Sequence, residues 1–431
     1  MRKKPAALLQ NLALAALTVS ALYLLSLTPL FSGSWSDRVQ AIFAAGPPAG
    51  GEDQGADLGE LIPSFHAVIT SEAEYGRCGR LYIPAEDELF ARIAPLLRDA
   101  MGSASAEGVR VAEQTLWDAL DAPSVYLDLT VCLPLPALAA CLGAEDGTPD
   151  QAARYLALTA EAPGGAMLYL ADGEGEIFRY ETALPSQAVA VLAEEFSPNG
   201  AGFAFESYYA TLSPYTALVA DFPAPPEVSG EVPPGCTLNN LLEALDFNTH
   251  IMSSYTDPGG AEVVGETPRT LRFAPGGAVS YTGDQTVASP LYRVAAAGES
   301  ASAGEALQAA AGLAKILAGS TGASPLFLQS LESTAAGWRV SFRCQSGGIP
   351  VRFADSGGSL AEEEALSVTI TGRTITAFAY RCRLYTPLET KALFIPPIQA
   401  AALASVYPHA DLSVGYIDDG AGTLTPQWLA G

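Results

Sequence analysis

The chain has 431 residues, with Asp+Glu 47 against Lys+Arg 22 for a formal net charge of -25, and 49% of its residues are hydrophobic. Phosphate backbones are held by Lys and Arg that displace counterions, so this balance excludes a nucleic-acid partner and disfavours anionic lipid headgroups. The length predicts two or three folded domains, and the apolar fraction is enough to fill their cores.

The chain opens with Arg2, Lys3 and Lys4, followed by an uncharged apolar run from Leu12 to Phe31; the first acid, Asp37, lies beyond it. At about 1.5 Å per residue such a run spans a hydrocarbon core of about 30 Å. The positive-inside rule then predicts a single-pass cell-membrane protein with a cytoplasmic N-terminus and an extracytoplasmic C-terminal bulk. A cleaved signal peptide is the alternative, but its apolar region is shorter and is followed closely by small residues, whereas here bulky Trp35 follows. Ala6, Gln10, Ala13, Ala16 and Ser20 share one face at helical spacing. Small residues let helices approach closely in lipid, so Ala13, Ala16 and Ser20 are the candidate helix–helix contact, against the plain alternative that Ala is common in this chain.

Residues 1–34 thus read as stub and transmembrane anchor, and 35–60, rich in Gly, Pro and acids, as a flexible linker. An N-terminal α+β ectodomain covers 61–222, with a strand from Phe65 to Thr70, helices from Glu86 to Ala100 and Glu113 to Leu120, a strand from Val125 to Leu133 and a helix from Ala137 to Leu142. A hairpin, Ala166 to Ala171 with Glu176 to Glu181, turns at Asp172-Gly173-Glu174-Gly175, which lacks the spacing of a calcium loop. Five prolines between Pro223 and Pro234 predict a boundary without regular structure. The central domain, 235–297, starts with a helix from Leu238 to Leu245 and continues with turns at Asp257-Pro258-Gly259-Gly260 and Pro275-Gly276-Gly277. The C-terminal domain, 298–431, has a helix from Ala301 to Leu317, five strands between Leu326 and Leu384, a helix from Ile398 to Tyr407 and a final hairpin around Asp418-Asp419-Gly420. Helix followed by hairpins recurs in the last two units, so they read as a duplicated module. The predicted class is α+β: one transmembrane helix and a multi-domain ectodomain of antiparallel sheets and packed helices.

Chemistry is sparse in the pattern. His66, His250 and His409 stand apart from any nucleophile motif, and neither a zinc helix, a Walker loop nor a dinucleotide fingerprint is present. Glu362-Glu363-Glu364 is the densest acidic cluster and reads as a solvated loop. Six cysteines, Cys78, Cys132, Cys141, Cys236, Cys344 and Cys382, have neither zinc nor thioredoxin spacing; for Cys344 and Cys382 a cross-strand bridge and a pair of buried thiols both remain open. The sequence therefore predicts no enzyme, no cofactor and no metal, and favours a binding or regulatory ectodomain.

Two stretches carry a family resemblance. One comprises Leu241-Leu242-Glu243-Ala244-Leu245-Asp246-Phe247-Asn248, Tyr255-Thr256-Asp257-Pro258-Gly259-Gly260-Ala261 and Thr270-Leu271-Arg272-Phe273-Ala274-Pro275-Gly276-Gly277-Ala278-Val279-Ser280-Tyr281; the other is Val414-Gly415-Tyr416-Ile417-Asp418-Asp419-Gly420 with Leu424-Thr425-Pro426-Gln427-Trp428. Together they resemble the YycH/YycI family, and the length favours the YycH-like branch. The resemblance implies a membrane-anchored regulator of a WalK-type sensor histidine kinase in a two-component system controlling cell-wall metabolism, with a related membrane-anchored regulator as a further partner. The alternative is a PepSY-like envelope protein that inhibits or assists a protease or cell-wall hydrolase.

Overall fold

The computed structural model describes residues 57–430 other than 73–75, 145–147, 163, 174, 210, 221, 288, 295–299, 355–359 and 363. The predicted membrane span lies outside the described residues. Strands β1 (Phe65–Ser71), β2 (Gly76–Ile83), β3 (Val109–Arg110), β4 (Ser124–Pro134), β5 (Ala152–Thr159), β6 (Gly165–Ala171) and β7 (Ile177–Pro185) form an antiparallel sheet in the order β2-β1-β4-β5-β6-β7-β3. Helix α1 (Glu88–Gly102) buries Leu89, Ile93, Leu97 and Ala100, at helical spacing, and its first turn is capped by Asp87, whose carboxylate accepts the Leu89 N–H at 2.8 Å. Helix α2 (Glu113–Ala119) and the segment around Phe203 and Tyr215 pack on one face of this sheet, with Tyr126, Tyr155 and Tyr169. Helices α3 (Leu135–Cys141) and α4 (Ser186–Glu194) join α1 in the other core, against Val125, Leu127 and Leu156. With both faces covered, β1 is buried at every position instead of alternating.

The segment between Pro223 and Pro234 was expected to lack regular structure, yet β10 (Pro226–Glu231), flanked by β21 (Leu384–Lys391) and β23 (Thr423–Leu424), is the middle strand of a three-stranded sheet. The prolines fall outside the strand or at its first residue, which leaves Val228 to Glu231 with their backbone donors.

Beyond α5 (Leu238–Ala244), strands β11 (Ser253–Thr256), β12 (Glu262–Glu266), β13 (Arg269–Phe273) and β14 (Ala278–Thr282) make a meander with turns at the two Gly-containing sites expected. The meander does not close on itself. β14 pairs with β20 (Thr374–Arg381), Val279 facing Tyr380 and Tyr281 facing Phe378, so residues on both sides of the predicted 297/298 boundary share one twelve-stranded sheet. A meander with an alternating apolar edge such as Val279 and Tyr281 gains burial by extending a neighbouring sheet.

The same sheet contains β15 (Leu326–Thr334), β16 (Gly337–Ser346), β17 (Ile349–Ala354), β18 (Leu360–Glu362), β19 (Leu366–Thr371), β22 (Leu412–Asp418) and β24 (Gln427–Ala430), with β17 and β22 parallel. Helix α6 (Ala303–Thr321) packs an apolar stripe of Leu307, Ala310, Ala314 and Leu317 on it. Its N-terminus is a capping box: Ser302 Oγ accepts the Glu305 N–H, and the Glu305 carboxylate accepts the Ser302 N–H at 2.8 Å. The last helix, α7 (Pro397–Ala404), lies near β22. Residues 55–431 form one compact unit.

Candidate functional site

The contact face proposed from the sequence, Ala13, Ala16 and Ser20, lies outside the described residues, and no helix among the described residues is long and apolar enough to cross a membrane. Of the three histidines, His250 and His409 are exposed. His66 is buried, its Nδ1 3.5 Å from the Asp128 carboxylate and its ring edge-on to Tyr82 at 4.6 Å.

Asp128 is the centre of a polar junction between the seven-stranded sheet and the C-terminal half. Its carboxylate accepts from Arg154 Nε at 3.0 Å and from the Thr130 N–H at 2.8 Å, and Arg154 reaches on to Asp411. Burial alone raises the pKa of such a carboxyl; the Arg154 charge and the His66 contact overcome it and hold Asp128 well below the usual carboxylate range. Thr130 has a left-handed φ of 60°, in the irregular part of β4 between Asp128 and Leu133, and accepts from the buried Arg343 guanidinium of β16 at 2.6 Å. Around these, the Ser64 hydroxyl donates to the Gly348 carbonyl, the Ser64 N–H donates to Gln345 Oε1 at 3.2 Å, and the Val414 N–H donates to the Tyr82 hydroxyl. The acid, the base and the hydroxyls of this cluster are committed to holding two halves together. His66 Nε2 is buried without a hydrogen-bond partner, so no nucleophile stands beside the ring.

The second feature is an apolar groove of 370 Å³ between α7, residues 393–395 and β24. Leu393, Leu403, Val406 and Tyr407 are exposed there, Leu403 at 67% and Val406 at 70%. From Ala392 to Ala410 the chain has no Asp, Glu, Lys or Arg, although the molecule carries a net charge of -25. Trp428 floors the groove: its indole N–H donates to the Ile395 carbonyl at 3.0 Å and its ring stacks on Phe394 at 5.2 Å. β24 ends the large sheet, so its outer edge is open to a further strand. An uncharged, exposed apolar face of this kind marks a protein-contact surface. Sequence reading treated 398–407 only as a helix; the signal it passed over was the run without charge.

Among the described residues no cluster of His, Cys, Asp and Glu could hold a metal ion. Glu364 of the acidic cluster accepts from Arg339 at 2.7 Å and from the Ser341 hydroxyl at 2.9 Å, so it is an ion-paired strand neighbour and not a solvated loop residue. All six cysteines are free, and the thiol partner of Cys382 is Cys236, not Cys344.

No family model matches the chain, and a search of curated proteins finds no match. Among solved structures, the crystal structure of YycH from Bacillus subtilis matches with a TM-score of 0.53, covering 88% of this chain and 96% of that one at 11% sequence identity. The chain therefore has a YycH-like fold, as the sequence motifs led one to expect.

Proposed function

We propose that this chain is an extracytoplasmic, membrane-anchored regulator of a WalK-type sensor histidine kinase that controls cell-wall metabolism. The observation that carries the reading is the YycH-like fold over 88% of the chain, which takes in the segments whose sequence resembles that family. The basic stub ahead of Leu12 to Phe31 supports an anchor with the remainder outside, and the uncharged groove beside β24 offers the ectodomain a contact surface. Such a regulator performs no chemistry. It binds two kinase states with different affinity, and a tenfold preference corresponds to about 1.4 kcal/mol of bias.

The reading is tested by isolating the full chain from native membranes, with the sensor kinase followed by mass spectrometry, and by fusing a reporter active only in the cytoplasm after Gly431. Kinase co-purification with a silent reporter is the expected result. An active reporter refutes the topology, and recovery of the chain without kinase after membrane crosslinking refutes the partner.

A further inference from the structure

Three cysteines, Cys236, Cys344 and Cys382, are buried in the C-terminal half. Cys236 lies in the turn leading into α5, where the chain runs so close to the end of α6 that a Cβ on neighbouring Gly235 would stand 2.5 Å from the Thr321 carbonyl oxygen. Cys382 occupies the corner between β20 and β21, its N–H donating to the Gly277 carbonyl at 2.9 Å. The same Thr321 reaches that corner from the other side: its hydroxyl contacts the Tyr380 hydroxyl at 3.5 Å and hydrogen-bonds to Cys382. Two segments distant in sequence thus converge on one residue of α6, and their thiols hydrogen-bond to each other.

We propose that Cys236 and Cys382 are the two halves of an intrachain disulfide that fastens the turn before α5 to the corner of the large sheet. The proton of the pair rests on Cys236, whose pKa is raised by the hydrogen bond to Cys382 and by burial. Cys382 is lowered, first by Cys236, against burial, with help from Thr321, Tyr380 and Arg383, so it supplies the thiolate. Its sulfur attacks one sulfur of a disulfide oxidant, forming a mixed disulfide and expelling the first thiolate, which takes up a proton. Cys236, giving up its proton to solvent, then attacks Cys382 Sγ and expels the second. Two electrons and two protons pass from the pair to the oxidant, which leaves as two thiols. Because both groups are buried when folded, the exchange takes place before the turn docks. The bond would close a loop containing α5, α6 and the strands β11 to β20, a long span whose closure restricts the unfolded chain.

The test uses the full chain in detergent, reduced, unfolded and refolded in oxidised and reduced glutathione, then alkylated and digested without reductant. The expected result is a linked peptide pair containing Cys236 and Cys382, with Cys344 alkylated and an unfolding midpoint about 5 °C above that of the reduced protein. In Cys236→Ser the link is lost and Cys382 becomes alkylated. Alkylation of both Cys236 and Cys382 after refolding, or a Cys344–Cys382 link in their place, overturns the proposal; the wild-type peptide map decides this even if the variant fails to fold. Since refolding in glutathione does not depend on the compartment or on any kinase, the outcome is independent of the regulatory reading.

Discussion

Replacing Arg154 by Met removes the cation that Asp128 depends on. Asp128 is buried and Arg154 Nε stands 3.0 Å from its carboxylate, so the variant leaves an ionised group in an apolar strand with only His66, at 3.5 Å, beside it. Breaking a buried pair from one side costs about 3–5 kcal/mol, and because the Arg154 side chain is 22% exposed the lower end applies. At roughly 2–4 °C per kcal/mol, the unfolding midpoint should fall by about 6–12 °C at neutral pH. The pH dependence has a definite sign. In the wild type the folded pKa of Asp128 is depressed, so its contribution is present above the unfolded value of about 3.9 and is lost as pH falls through the lower folded value. In Arg154→Met the depression is gone and protonation relieves the stranded charge, so the gap between variant and wild type should narrow on acidification. Circular dichroism melts at about pH 7 and about pH 4.5 measure this. A gap that is the same at both pH values, or absent at neutral pH, refutes the electrostatic account of the junction.

Gly348 has φ +81° and a Cβ there would stand 2.4 Å from the Tyr82 carbonyl oxygen, so Gly348→Ala should destabilise by about 2 kcal/mol or more, read as a lowered melting midpoint. Leu403→Glu places a charge on the exposed rim of the groove; the melt should move by less than about 0.5 kcal/mol while crosslinking to the kinase in membranes is lost. In the anchor, the triple change Ala13→Leu, Ala16→Leu and Ser20→Leu should leave membrane level unchanged, since Leu stays apolar, and should weaken kinase association and target-gene expression; wild-type signalling would exclude that face.

Much of the fold is legible in the sequence, where punctuation coincides with structure. The turns at Asp257 to Gly260 and at Pro275 to Gly277 fall where Gly adopts positive φ, and α1 and α6 follow their apolar stripes and caps. What escapes is decided by long-range pairing. β5, Ala152–Thr159, has a helix-forming composition and becomes a strand because β4 and β6 flank it. β10 hides among prolines, and the run from Thr374 to Leu384 breaks at Cys382-Arg383, where Arg383 turns to pair with Asp418 at 2.7 Å. The polar junction joins Asp128, Arg154, Arg343 and Asp411 across most of the chain, which no local pattern announces. Its one local trace is a charged residue in an otherwise apolar strand: Asp128 amid Val125, Leu127 and Leu129, and Arg343 between Phe342 and Cys344.

The claim that the chain biases a sensor kinase is tested most directly by co-reconstituting the full chain with the kinase in lipid vesicles and measuring autophosphorylation against the ratio of the two proteins. The account predicts a saturable change, in either direction, that is reduced by Leu403→Glu and by the triple anchor variant. An autophosphorylation rate that stays constant at every ratio, with both proteins in the same vesicles, would contradict it.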